Sequence, residues 1–141
     1  MKKILLLFLI CSFTSVIIAQ NVDGVAPKPI GPYSKSRMAQ GFVFISGQIA
    51  IDPSSKLMVK GDFRQEVTQV MNNLNTVLQE NGLTFVNVVK CTVYLTDMNN
   101  YDLMNEVYAS FFGGVFPARE AIQVVKLPKN ANIEISAIAA P

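Results

Sequence analysis

The stretch DFRQEVTQVMNNLNTVLQENG, residues 62–82, reads as one amphipathic helix with both ends marked. Asp62 offers a side-chain oxygen to the free amides of a first turn. Phe63, Val67, Val70, Met71, Leu74, Val77 and Leu78 recur at helical spacing and form one apolar stripe. Arg64, Gln65, Gln69, Asn72, Asn73 and Gln79 are expected on the opposite, wet face. Asn81-Gly82 closes the run, because glycine adopts the left-handed turn after a helix at least cost. The spacing predicts a helix over 63–80, around which the other elements arrange themselves.

Downstream, VVKCTVYL (88–95) alternates and is rich in β-branched residues, so it reads as a strand. Val89, Cys91, Val93 and Leu95 share one face; Lys90, Thr92 and Tyr94 share the other. A second helix is predicted from about Asn100 to Phe112, burying Leu103, Met104, Val107, Phe111 and Phe112, with Gly113-Gly114 as its stop. Phe116 to Val125 and Asn132 to Ala139 read as the last two strands. The turn Leu127-Pro128-Lys129-Asn130 between them predicts an antiparallel pair, with Arg119 and Glu134 on neighbouring strands. Upstream, Ser34–Gln40 and Phe42–Ser46 form a strand pair turning at Gln40-Gly41. Ile51-Asp52-Pro53-Ser54-Ser55 is a loop by its composition. Long helices interleaved with alternating strands predict an α+β layer, with both helices on one face of a sheet. Phe42, Phe44, Ile122, Val124 and Ile138 make the other face half apolar. In so small a chain its expected cover is another subunit.

The first 19 residues read as an address. A basic Met1-Lys2-Lys3 start, an apolar run from Ile4 and a small Ala19 before Gln20-Asn21 match a secretory signal peptide cut after Ala19. A retained anchor is the alternative, the run being of marginal length to span a bilayer. The expected product is a periplasmic or secreted bacterial protein, with no membrane attachment after cleavage. Residues 20–141 form one domain, large enough for one core. Lys2 and Lys3 leave with the leader, which evens the 12 basic and 10 acidic residues to zero net charge. No basic cluster stands out, so nucleic acid is not an expected partner. One cysteine, Cys91, survives cleavage; in an apolar strand it reads as a small buried hydrophobe rather than a nucleophile.

The chain contains no histidine. That removes the usual general base, the Ser-His-Asp and Cys-His arrangements and every His-based metal site. The charges that stand out are Arg119, in Phe116-Pro117-Ala118-Arg119, and Glu134, in Asn132-Ile133-Glu134-Ile135. A charge inside apolar strand sequence is costly unless it is paired or used. Either the two pair as a structural bridge, or they do chemistry.

Five collinear stretches now stand together: Gly31-Pro32-Tyr33, Ile45-Ser46-Gly47-Gln48, Asn105 with Tyr108, Phe116-Pro117-Ala118-Arg119, and Leu127-Pro128-Lys129 leading to Ile133-Glu134-Ile135. In this order and spacing the chain resembles the Rid family (YjgF-like enamine/imine deaminases) over roughly Pro29 to Ala139. The resemblance implies a chorismate-mutase-like α+β fold, with two helices on one face of the sheet. It also implies a homotrimer in which three sheets close a central barrel and clefts open between subunits. The implied activity is hydrolysis of 2-imino or 2-enamino acids to 2-oxo acids and ammonia, with no metal or organic cofactor. By the same resemblance Arg119 grips the substrate carboxylate, Glu134 holds the attacking water and Tyr33 lines the cleft. Ser46 and Gly47 form its floor, Asn105 enters from the helix side, and two subunits complete the pocket. A guanidinium fits this work, since its rigid fork matches a carboxylate. An iminium carbon is already electrophilic, so positioning and a carboxylate-held water suffice.

Blander readings stay open beside these. Tyr33 is a packing aromatic, Ser46-Gly47 a strand end or Asn105 an exposed helix residue. The chain also departs from the family. Ala121 stands where family deaminases often carry a cysteine, Glu120 adds an acid beside Arg119 and is expected to point to the opposite sheet face, the Phe112–Phe116 connection looks short, and the leader implies an exported member. These departures motivate a second reading, a noncatalytic binder of small carboxylates in the same cleft. A nucleic-acid or chaperone role is a third, and the neutral charge weighs against RNA.

Overall fold

The computed structural model describes residues 25–141; the expected leader lies outside the described residues. Strand β1 (Ser36–Ala39) turns into β2 (Phe42–Gln48) through Gln40 and Gly41, both at positive φ as a two-residue hairpin turn requires. Helix α1 spans Phe63–Glu80, as its stripe predicts, and Asp62 accepts from the Arg64 amide. Val67, Val70, Met71, Leu74, Val77 and Leu78 are all fully buried, so burial of this stripe holds the helix to the sheet. Strand β3 is Val88–Leu95, helix α2 Tyr101–Ala109, β4 Ala118–Gln123 and β5 Ile133–Ala139. The helices pack on each other, and α1 lies against β2 and β5.

The sheet order is β1-β2-β5-β3-β4. This corrects the expected pairing of the last two strands. β4 lies parallel to β3, and β5 inserts antiparallel between β2 and β3. The chain leaves β3 through α2, and a helical crossover returns a strand parallel to its predecessor. The Pro128–Asn130 turn, with Lys129 and Asn130 at positive φ, belongs to the connection that carries the chain across to β5. Arg119 and Glu134 are therefore separated by the whole of β3.

Three smaller expectations also change. Helix α2 is shorter than 100–112: Asp97 caps a separate turn at Met98–Asn100, and Phe112 reaches the core from beyond the helix end. Val88 rather than Val89 is buried, because an irregularity in the β3–β5 register between Val88 and Lys90 breaks the alternation. Asn73 is buried, not wet. Its Nδ2 donates to the carbonyls of Ile49 (2.9 Å) and Ile51 (2.8 Å), tying α1 to the chain leaving β2.

Glu66 plays the same part for β5. Its buried carboxylate accepts from the Asn132 amide and the Asn132 Nδ2, each at 2.8 Å, one residue before β5 begins. Truncation leaves the Asn132 donors without their partner and a hole under the strand. Glu66→Ala is expected to lower unfolding free energy by about 2 kcal/mol, read as an earlier midpoint in urea. An unchanged midpoint would refute this tie.

On the face away from the helices, Phe42 and Phe44 are 43% and 46% exposed and Ile122 44%, an apolar surface on a small chain. Val124 does not join it; it packs with Ile49, Leu127 and Ala131 in a separate cluster.

Candidate functional site

The expected site residues fall into two groups. Arg119 is in register with buried Cys91, so it faces the helices. There α2 presents Tyr101, Met104, Asn105 and Tyr108, spaced i, i+3, i+4 and i+7 on one side of the helix. All four meet the guanidinium. Nη2 donates to Asn105 Oδ1 at 2.7 Å and to Tyr101 Oη at 3.2 Å, and Nη1 reaches Met104 Sδ at 3.7 Å. The guanidinium carbon lies 4.7 Å from the centre of the Tyr108 ring and 5.7 Å from that of Tyr101. A cleft of about 370 Å³ opens here, lined by Asn105, Tyr108, Ala109, Phe116, Pro117 and Arg119.

Two polar groups lie beneath the cation. The Tyr108 hydroxyl is buried without a hydrogen-bond partner and has the Cys91 thiol beside it. Burial, then the thiol, pushes Tyr108 far above the ordinary phenol range, so it stays protonated. Burial likewise pushes the Cys91 thiol up, which makes it an inert filler as expected. Ala121, two residues beyond Arg119, is partly buried against the core.

The second group gathers where β2 meets β5. Ile133 and Ile135 point into the core, so Glu134 points to the face away from the helices. It lies against Gly47, at the register irregularity of β2 between Ile45 and Gln48. A Cβ built on Gly47 would fall 2.6 Å from Glu134 Cδ and 2.8 Å from Cγ, so only glycine admits the carboxylate there. Burial alone raises the Glu134 carboxyl above its ordinary value. Ser46 Oγ donates to the Ser34 carbonyl at 2.7 Å, and Gln48 Nε2 to the Ser46 carbonyl at 2.9 Å, fixing the strand end. Tyr33 and Gly47 line one narrow cleft together; the Tyr33 ring is 47% exposed and its hydroxyl accepts from the Ile30 amide.

One protomer thus holds Arg119 with Asn105, and separately Glu134 with Gly47, Ser46 and Tyr33. Among the described residues Arg119 and Glu134 form no ion pair, so the structural-bridge reading fails. Glu120 faces away from Arg119, as expected. Lys90 Nζ lies 3.0 Å from its carboxylate and Thr92 Oγ1 donates to it at 3.1 Å, and the lysine holds its pKa down. Among the described residues no group of three or more His, Cys, Asp or Glu side chains could hold a metal, and no helix is long and apolar enough to cross a membrane.

Residues 23–141 match the family described as Endoribonuclease L-PSP. The chain belongs to this family, the YjgF/Rid proteins. A RutC family protein of Pyrococcus horikoshii is 50% identical over 124 residues, spanning 88% of this chain and 95% of that one. The 2-iminobutanoate/2-iminopropanoate deaminase of Homo sapiens is 46% identical over 114 residues, spanning 81% and 83% of the two chains. The crystal structure of RidA from an Antarctic Psychrobacter superposes with a TM-score of 0.79 at 34% identity, covering 82% of this chain and 94% of that one. The five-stranded mixed sheet with two helices is the Rid fold.

Arg119 stands out in the sequence by its apolar setting and Asn105 by the family resemblance, whereas neither Tyr101 nor Met104 reads there as a contact of the cation and Tyr108 has no role. Met104 reads as core in the helical stripe, while Tyr101 and Tyr108 share its spacing without a core reading. Glu66 was missed because an acid in a helix reads as solvated.

Proposed function

We propose that this Rid-family protein hydrolyses 2-imino and 2-enamino acids to 2-oxo acids and ammonia. The observation that carries the reading is Arg119. It is a partly buried guanidinium held by an amide, a hydroxyl and an aromatic face, with no carboxylate beside it among the described residues. A cation fixed without a counterion is a receptor for an anion. The human deaminase at 46% identity supports the same substrate class.

Arg119 and Glu134 face opposite sides of one sheet, so a working pocket needs two protomers. In this proposal three chains close through the apolar face of Phe42, Phe44 and Ile122. Arg119 and Asn105 of one copy then meet Glu134, Tyr33, Ser46 and Gly47 of the next. Arg119 binds the substrate carboxylate through donors not taken by Asn105 and Tyr101. Glu134 accepts a proton from water as its oxygen adds to the iminium carbon. That proton passes to nitrogen; as the C–N bond breaks, the carbinol hydroxyl gives its proton to Glu134 and from there to the departing ammonia, so an iminium and one water become a 2-oxo acid and ammonium. No protein nucleophile takes part, and Ala121 in place of a thiol leaves each step intact. The noncatalytic-binder reading differs only in lacking turnover. The decisive assay follows 2-oxobutanoate release from a freshly generated imino acid, with and without protein. Equal rates in both would leave the binder. The endoribonuclease of the family description is a different chemistry, to which a chain of formal charge +2, or zero after the proposed cleavage, and without histidine brings little.

Burial raises the Glu134 carboxyl above 4.5, and two pH effects follow with fixed sign. The water-holding form is the carboxylate, so kcat/KM should fall with falling pH on a limb centred above that value. The folded chain binds this proton more readily than the unfolded one. Stability therefore declines as pH rises from the unfolded pKa through the folded pKa. Glu134→Gln should lose both the acidic limb and most of the activity, yet be at least as stable as wild type at pH 7. A variant that is inactive and also strongly destabilised would mark Glu134 as structural.

Export belongs to the same proposal. Native mass spectrometry of the protein from its own host should find three chains, each beginning at Gln20. A monomer, or a chain retaining Met1, would overturn that part.

A further inference from the structure

We propose that the cleft between the N-terminal arm and the loop after β2 is a second binding site, for a free amphipathic carboxylate: one anionic head on an apolar tail. The arm from Val25 to Ile30 and the segment from Ile51 to Met58 bound a cavity of about 640 Å³, which Lys129 closes at one side. It is larger than the Arg119 cleft and within the range of small-molecule sites. The arm is fastened rather than loose. Ala26 is buried and its amide donates to Glu80 Oε1 at 3.1 Å, and the same carboxylate carries the Lys35 ammonium. The opposite wall is pinned by a bridge between Ile51 and Met58.

The wall chemistry selects the ligand. Pro29, Ile30, Leu57 and Met58 supply apolar surface, and Leu57 is 69% exposed. Lys28, Lys56 and Lys129 supply charge, and among the described residues no aspartate or glutamate lines the cavity. Among the described residues none of these three lysines makes an ion pair; Lys60 and Lys126 make none either, whereas Lys35 and Lys90 do. Asp52, the acid in the neighbouring loop, accepts from Ser54 and Ser55 of its own turn through Oδ1. Lys56 and Lys129 both stand at positive φ, 63° and 58°, where a glycine or asparagine is easier. The convergence of three ammonium groups on one apolar hollow points to an anion with a tail. The site owes nothing to Arg119, which lines the other cleft.

Decanoate is the probe, titrated calorimetrically into the purified protein, with decanol and acetate as controls. One decanoate should bind per chain, with decanol and acetate each at least about tenfold weaker. The triple variant Lys28→Gln, Lys56→Gln, Lys129→Gln should weaken decanoate at least about tenfold, about 1.4 kcal/mol. Arg119→Ala should leave it unchanged. Three results overturn the proposal: no binding, binding equal to decanol or unaffected by the triple variant, or binding lost with Arg119→Ala, which places the ligand in the first cleft. Because this readout is binding, it stands or falls apart from the deaminase assay.

Discussion

Arg119→Ala is expected to cut kcat/KM for imino acid hydrolysis by two to four decades while shifting stability by no more than about 1 kcal/mol. The first figure follows from removing one partner of a desolvated, hydrogen-bonded charge pair, which costs about 3 to 5 kcal/mol. The second follows from the surroundings. The cation has no acid beside it among the described residues, and Asn105 lines an open cleft from which water can reach it. A structural strut would behave in the opposite way, losing stability and activity together. Arg119→Lys should fall between, since lysine keeps the charge but loses the planar stack on Tyr108 and the fork. Calorimetry with 2-oxobutanoate separates binding from turnover. If the alanine variant binds and turns over as wild type does, Arg119 is not the carboxylate receptor and the deaminase reading falls with it.

How much of this was legible depends on whether each fact is local. Helix α1 was readable to the residue, because Asp62, the apolar stripe and Asn81-Gly82 all lie within one short window. The hairpin at Gln40-Gly41 was readable for the same reason. The partner of β4 was not. Alternation tells which side chains share a face, but says nothing of which strand lies alongside, and the Pro128–Asn130 turn resembles a hairpin until β5 is seen between β2 and β3. That error moved the site, since it placed Arg119 next to Glu134 when β3 divides them and they face opposite ways. Glu66 and Asn73 were misjudged or missed because residue polarity was the available signal, whereas their burial is offset by distant partners at Asn132, Ile49 and Ile51. The family resemblance supplied Arg119 and Glu134 as functional residues. The grip on the guanidinium by Tyr101, Met104 and Tyr108 needed coordinates.

Gly47→Ala should disable the proposed hydrolysis chiefly by displacing Glu134. The added methyl would sit 2.6 Å from Glu134 Cδ and 2.8 Å from Cγ, well inside contact distance. Because Cγ is involved, rotating the carboxylate tip does not relieve the overlap. Either the whole side chain changes rotamer or the end of β2 shifts, at a cost of about 1 to 3 kcal/mol. Moving a water-holding carboxylate by an ångström costs about a hundredfold in rate, so kcat should fall by at least that much while KM changes little. A double-mutant cycle separates this from general damage to the strand. In a Glu134→Ala background the three atoms nearest the methyl are gone, so Gly47→Ala should then cost less than about 0.5 kcal/mol, leaving a coupling of 1 kcal/mol or more. An undiminished penalty in that background would mean the glycine serves the backbone of β2 instead, and would free Glu134 from the geometry proposed for it.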